Sequence, residues 1–374
     1  MTIQRLTTDH LRIPLPRTSR IALTAPRPRP FDHVELILVH LETANGVSGL
    51  GLTYTLGPGA AAIRSLIDTE LAPLIRGEDP HATDRLFRCV ESRFAATTGF
   101  RGLVARAYCA IDIALWDLRA KAADVPLAQL LGHAKSAAGF VVSPVAVGNN
   151  DPQEVLQAAK TLLQQGATGL RVEMTNTEDL QSQADQLREI QDQLGADIWL
   201  GVAAAGRFDL ATALALSHFF DDIGVDLFED PLPDHDHTGY QRLCHKAEIP
   251  IAVGSHFDAP EQFWAVIRAG DIRVIRPDVC RLGGITPLVS IARVAEAFDV
   301  AVMPVRLPEV GVHLACGLPV VPHVDYVPWF QELFPAALRI ERGKIVPAPE
   351  PGLGLQLHEP TAALFRVNGA QRSE

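Results

Sequence analysis

Charged side chains gather at the ends of short apolar runs in this chain, at the points where a parallel strand would give way to its loop. The run Val225-Asp-Leu-Phe-Glu ends on the carboxylate of Glu229, whereas Ile198-Trp-Leu-Gly-Val leads into Ala203-Ala204-Ala205. A working site is expected to keep polar groups at both strand ends, so bare methyl groups at one of them are informative. Arg171, Arg276 and Arg306 lie within or just beyond other apolar runs. Guanidinium forks grip carboxylates through paired hydrogen bonds, and fixed cations stabilise an enolate. Arginine holds its proton too tightly to serve as a base near neutral pH, so Arg171 is a binding group. Glu173, two residues on, becomes a base only with a raised pKa. Asp234-His235-Asp236-His237 has metal-binding residue types, but four neighbours on one loop do not close a site unaided.

The elements that would position these groups follow from periodicity. Residues 2–55 read as β-rich: Phe31-Asp-His-Val-Glu-Leu-Ile-Leu-Val-His-Leu-Glu alternates and turns at Asn45-Gly46, a hairpin signal. Residues 16–30 are rich in proline and carry Arg17, Arg20, Arg27 and Arg29, which predicts a basic loop able to act as a lid; 53–60 is expected to be a second. From residue 60 to 121 the period becomes helical, ending in a long apolar helix over 102–122 that includes Asp112 and Asp117. These two acids are expected to pack or pair with Arg106 or Arg119 against the neighbouring domain. Strands are then predicted at 141–147, 169–174, 198–202, 225–229, 250–253, 272–275, 301–304 and 320–324, with helices between them. Strict alternation over eight strands favours a closed parallel barrel over an open sheet. The tail, Gly352-Leu-Gly-Leu-Gln-Leu, alternates again and is expected to return to the N-terminal part. The fold class is therefore α/β, a (β/α) barrel (136–335) with an α+β capping domain (1–135) completed by a C-terminal segment (336–374).

Composition narrows the partners. A net charge of −11 over 374 residues argues against nucleic acid or an anionic membrane surface. Cys89, Cys109, Cys244, Cys280 and Cys316 are odd in number and form no Cys-x-x-Cys, as expected of reduced thiols in a cytoplasmic protein. No run of eighteen apolar residues occurs, and the first residues lack an apolar signal core.

Several motifs together resemble the enolase superfamily, in its mandelate racemase and muconate-lactonizing branch. They are residues 107–121 of the long helix, Phe228-Glu-Asp-Pro-Leu-Pro, Ile249-Pro-Ile-Ala-Val-Gly, Ile275-Arg-Pro-Asp-Val-Cys-Arg-Leu-Gly-Gly-Ile-Thr, Gly343-Lys-Ile-Val and Pro351-Gly-Leu-Gly-Leu. The resemblance implies abstraction of a proton α to a carboxylate, with Mg²⁺ held by acids ending strands three, four and five. It also implies bases from a Lys-x-Lys pair on strand two and a His-Asp dyad on strands seven and six. Here strand three offers Ala203, strand four keeps Glu229 as the sole metal-ligand position, and strand five offers Ser255. Strand two reads Arg171-Val-Glu173, Asp278 is kept on strand six, and Val305 then Arg306 replace the histidine. Asp325 survives on strand eight.

These departures favour a barrel that has lost the family's metal-dependent site and binds a small anionic carboxylate, as a homo-oligomer with no cofactor expected. One alternative is a metal-free isomerase, lyase or racemase. In it Arg171, Arg276 and Arg306, with Tyr54 and Arg20, hold an acid while Glu173, His256, Asp278 or Asp325 handles protons. The other alternative is a Mg²⁺-dependent racemase, cycloisomerase or acid-sugar dehydratase. In the blander reading, Glu229 is neutralised by Arg171 or Arg276, Asp278 caps the turn before Gly283-Gly284, His256 is a polar loop residue and His313 is packed.

Overall fold

A computed structural model of the chain describes residues 1–15, 32–147, 152–174 and 179–367. The expected basic lid over 16–30, with Arg17, Arg20, Arg27 and Arg29, lies outside them. Among the described residues, no helix is long and apolar enough to cross a membrane, and all five cysteines are free.

The N-terminal part is an antiparallel meander of β1 (Ile3–Pro14), β2 (His33–Thr43) and β3 (Ser48–Leu56). Asn45-Gly46 makes the expected hairpin, with Gly46 at φ 83° and Thr43 N–H donating to the Val47 carbonyl at 3.0 Å. The loop expected from residue 53 begins later. Thr53 to Leu56 remain in β3, opposite Ile37 to Val34, because β-favouring Thr-Tyr-Thr outlasts the turn signal of Gly57-Pro58-Gly59. Tyr54 is thereby a buried strand residue.

The long helix Leu103–Ala122 is buried almost all round, as its lack of a polar face requires. It lies directly on β3: a Cβ at Gly51 would stand 1.9 Å from the Ala110 carbonyl oxygen. The helix is thus fixed between the sheet and the barrel, and its acids act as clasps. Asp112 accepts from Thr286 N–H (2.9 Å) and Thr286 Oγ1 (2.6 Å) at the start of the barrel helix Ile285–Ala297. Asp117 accepts from Leu50 and Leu353 N–H and pairs with Lys121 at 2.6 Å. The expected packing is met, but among the described residues neither acid pairs with Arg106 or Arg119; the amides of Thr286, Leu50 and Leu353, with Lys121, are their partners.

The barrel is one parallel sheet of β4 (Gly139–Val147), β5 (Gly169–Met174), β6 (Trp199–Ala203), β7 (Leu227–Glu229), β8 (Ile251–Val253), β9 (Val274–Ile275), β10 (Ala301–Val302) and β11 (His323–Tyr326). Its order is β10-β9-β8-β7-β6-β5-β4-β11. The edges meet where Val302 N–H donates to Val320 O at 3.0 Å, so the sheet curls into a barrel with a thin seam. The described strand residues are largely buried on both faces, which fits their continuous apolar runs.

After β11 the chain forms the hairpin of β12 (Leu338–Glu341) and β13 (Lys344–Pro347). The tail does return to the N-terminal part, but not as the expected strand. Gly352 (φ 88°) and Gly354 (φ 65°) are left-handed and break the extended run. Contact is made instead by isolated bridges, one between Pro126 and Gly352, where Leu127 N–H donates to Gly352 O, and one between Leu11 and Arg366.

Candidate functional site

Glu229 ends β7 and is almost fully buried. Arg171, on β5, donates from Nε to Oε2 and from Nη2 to Oε1, each at 2.7 Å. Its Nη1 reaches Ser143 Oγ at 3.3 Å. Arg276 adds a second cation, its Nε 3.0 Å from Oε2 but out of line for a hydrogen bond. Its Nη2 faces Asp325 Oδ1 at 3.5 Å. Burial alone would push the Glu229 carboxyl up; Arg171 and Arg276 overcome this and hold it at about 2. The expectation that an arginine neutralises Glu229 is met, with Arg171 as the main partner. The strand register shows how: Ala203 lies between Glu173 on one side and Glu229 on the other, and its methyl leaves the guanidinium room to cross.

Ser255 does not face open space at the neighbouring strand end. Its hydroxyl donates to Asp230 in a short bond, and Asp230 also accepts from Gly254 N–H (2.8 Å) and Ser255 N–H (3.1 Å). Asp230 sits at φ 44°, a left-handed turn that carries its carboxylate under the next strand's amides. Burial and the charge of Glu229 raise its pKa. His256 Nδ1 stands 3.3 Å from Ser255 Oγ and 3.9 Å from Asp230; burial lowers the imidazole's pKa, with Asp230 opposing. Gly206, Asp230, His235, His256 and Arg281 line a cavity of about 320 Å³ at this side of the mouth.

Asp278, fully buried, is the third node. Its Oδ1 accepts from Cys280 N–H at 2.8 Å, capping the turn Val279–Leu282, and its Oδ2 accepts from Tyr54 OH at 2.8 Å. Arg306 Nη1 (3.6 Å), Arg106 Nη2 (3.8 Å) and Arg281 Nε (4.0 Å) surround it. Burial would raise its pKa, but these cations lower it below the ordinary carboxylate range. Arg106 donates to the Tyr54 carbonyl at 3.0 Å and lies over its ring, and Trp329 packs edge-on against Tyr54 at 5.8 Å. Asp325 accepts from Arg306 N–H at 2.8 Å. Glu173 is buried beside Arg207 Nη2 at 3.4 Å.

Most of the residues singled out in the sequence therefore converge: Arg171, Glu173, Glu229, His256, Arg276, Asp278, Arg306, Asp325 and Tyr54 ring one mouth. Arg20 lies outside the described residues. Sequence reading missed Asp230 and Arg281, although each is next to or within a motif already noted. It also gave no ligand-side role to Arg106, on the long helix Leu103–Ala122, or to Arg207. His313 is packed, Nε2 donating to Leu353 O and Nδ1 accepting from Ala128 N–H, each at 3.2 Å. Asp236 caps the helix His237–Lys246 through Gly239 N–H at 2.8 Å, which accounts for one acid of the Asp-His run.

The residues at the family's ligand positions do not fit a hard dication. Glu229 spends both oxygens on guanidinium groups, Ser255 offers only a hydroxyl already bonded to Asp230, and Ala203 offers none. Such an ion wants several converging oxygens with net negative charge. Among the described residues no group of three or more His, Cys, Asp or Glu side chains converges in that way.

Comparison with known proteins places the chain. Residues 154–361 match the enolase C-terminal domain-like family model, and residues 23–132 match the mandelate racemase/muconate lactonizing enzyme N-terminal domain. The chain is 27% identical over 343 residues to L-talarate/galactarate dehydratase of Salmonella typhimurium, covering 89% of this chain and 83% of that protein. It is 29% identical over 330 residues to 3,6-anhydro-alpha-L-galactonate cycloisomerase of Streptomyces coelicolor, covering 87% of each. Among solved structures, L-talarate dehydratase from Polaromonas sp. JS666, complexed with Mg and L-glucarate, superposes with a TM-score of 0.90 at 27% identity over 98% of both chains. Magnesium and a sugar diacid thus belong to a relative's structure, and the expectation of no cofactor draws no support from these relatives. With both parts of the chain matched, the protein belongs to the mandelate racemase/muconate lactonizing enzyme branch of the enolase superfamily.

Proposed function

We propose that this protein binds a small hydroxy-carboxylic acid of the acid-sugar class at the barrel mouth, using fixed guanidinium groups where its relatives use a metal ion. The observation that carries the reading is the two-armed Arg171–Glu229 pair with Arg276 beside it. Those cations replace an ion's charge at the surviving ligand position. The ligand class is inferred from the dehydratases and the cycloisomerase that this chain resembles along most of its length. If α-proton exchange occurs, Arg171 cannot serve as its base and Val305 has no titratable group. Glu173 and His256 are the remaining groups for proton transfer, with an enolate stabilised by preorganised cations.

The relatives' names favour a second reading, a Mg²⁺-dependent dehydratase or cycloisomerase. It requires Glu229 to release two arginines before it meets an ion. Calorimetric titration of galactarate, glucarate and gluconate, with EDTA and separately with millimolar Mg²⁺, distinguishes the readings. Binding in EDTA supports the arginine site; binding that appears only with Mg²⁺ refutes it in favour of the second. Incubation of each acid in D₂O then detects turnover as deuterium at Cα.

A further inference from the structure

The guanidinium groups at the mouth are not equally occupied. Arg171 and Arg276 are held by Glu229. Arg207 is held by the Met174 and Ala204 carbonyls and Glu173. Arg106 donates to the Tyr54 carbonyl, and Arg281 reaches the His256 carbonyl at 3.4 Å. Arg306 differs. Among the described residues its guanidinium, like that of Arg276, makes no hydrogen bond, but Arg276 is buried between Glu229 and Asp325, whereas Arg306 is partly exposed and has only Asp278 within ion-pair reach, at 3.6 Å. Asp278 already has Tyr54, Cys280 N–H, Arg106 and Arg281 around it, so the node holds more positive charge than it needs.

The backbone pays for this placement. Arg306 lies at φ 60° and Leu307 at φ 44°, two consecutive left-handed residues without a glycine between them. Such conformations are unfavourable for side chains with a Cβ and persist only where the surroundings impose them. Here Val305 N–H is fixed on Pro277 O at 3.0 Å and Arg306 N–H on Asp325 at 2.8 Å. The next residues enter the buried helix Pro308–Gly317. A turn alone would be served better by glycine or asparagine. An unbonded, partly exposed guanidinium explains nothing about packing.

We infer that Arg306 is the residue that anchors the ligand's carboxylate, with Tyr54 and Arg281 flanking it, and that its strained backbone is retained for that purpose. The inference rests on the acid-binding reading above and names the arginine that remains available once Glu229 has taken Arg171 and Arg276. A planar fork with free donors suits a carboxylate, and Asp278 behind it fixes the fork without consuming it.

The test uses the full chain with Arg306→Gly and Arg306→Lys, measuring the thermal midpoint and calorimetric affinity for galactarate and gluconate in EDTA. Arg306→Gly is expected to melt above the wild type while losing about tenfold or more in affinity, the loss of a charge-assisted pair. Arg306→Lys keeps the charge and the strain; it should melt like the wild type and bind several-fold more weakly. A lower midpoint in Arg306→Gly, or wild-type affinity in either variant, overturns the inference. Should no acid bind the wild type, the acid-binding reading falls separately. Arg306 is then judged by sulfate: stabilisation of the wild type that Arg306→Gly loses supports it, and equal or absent stabilisation overturns it.

Discussion

Arg171 and Glu229 are joined by two hydrogen bonds of 2.7 Å across the ends of β5 and β7, strands that are not neighbours. The strand between them ends on Ala203. One truncation and one arginine therefore act together: the methyl opens the path, and the fork closes it on the retained carboxylate. Without Arg171, Glu229 would keep only Arg276, which stands 3.0 Å away but out of line for a hydrogen bond, and a poorly paired buried charge is costly.

Glu229→Gln removes the anion and leaves two buried guanidinium groups facing a neutral amide. The expected loss of stability near pH 7 is about 3–5 kcal/mol, as for other broken buried pairs. Denaturant unfolding measures it, and a loss below 1 kcal/mol would show that the pair contributes little.

The same geometry constrains metal reconstruction. Ala203→Asp with Ser255→Glu restores carboxylates at the family's ligand positions, but Arg171 still occupies Glu229. The double variant is expected to remain indifferent to millimolar Mg²⁺. Adding Arg171→Lys replaces the two-armed fork by a point charge that can withdraw, and this triple variant should bind Mg²⁺ by calorimetry. Tight Mg²⁺ binding by the wild type or the double variant would show that the guanidinium groups yield to an ion.

The fold was legible because each barrel strand is a short, nearly continuous apolar run followed by a helical period. The conformation of the tail was not, because Gly352 and Gly354 disrupt a sequence that alternates like a strand. Glu229 could be paired with an arginine in advance, since a carboxylate at an enclosed strand end needs a cation. Asp230 could not be assigned. Its partners are the amides of Gly254 and Ser255, and a backbone amide from another strand leaves no mark in residue types. Arg106 was hidden for a different reason: it reaches the mouth from a helix of the other domain, so only the packing of that helix on Gly51 shows where it points.

Two buried carboxylates near the mouth should answer pH in opposite directions, which separates site electrostatics from general acid sensitivity. Glu229 has a folded pKa of about 2, below the ordinary 4.5. Its stabilisation is present above the unfolded value and is lost as pH falls through the folded one, so the Glu229→Gln deficit should shrink with acidification. Glu309 is the converse. It is buried in the first turn of Pro308–Gly317, its Oε2 has no hydrogen-bond partner among the described residues, and burial raises its pKa to about 7. Its contribution is complete below the ordinary 4.5 and is lost as pH rises through 7. Glu309→Gln does not titrate there. Its stability relative to the wild type should therefore increase between pH 4 and 8, by about 3 kcal/mol at most, and level off above. Urea unfolding reads the Glu309→Gln slope between pH 4 and 8 and the Glu229→Gln slope below pH 4.5, toward the folded value of about 2. A Glu309→Gln difference that stays flat with pH would mean that Glu309 finds a partner when ionised, and parallel trends in both variants would refute the opposed electrostatics of the two sites.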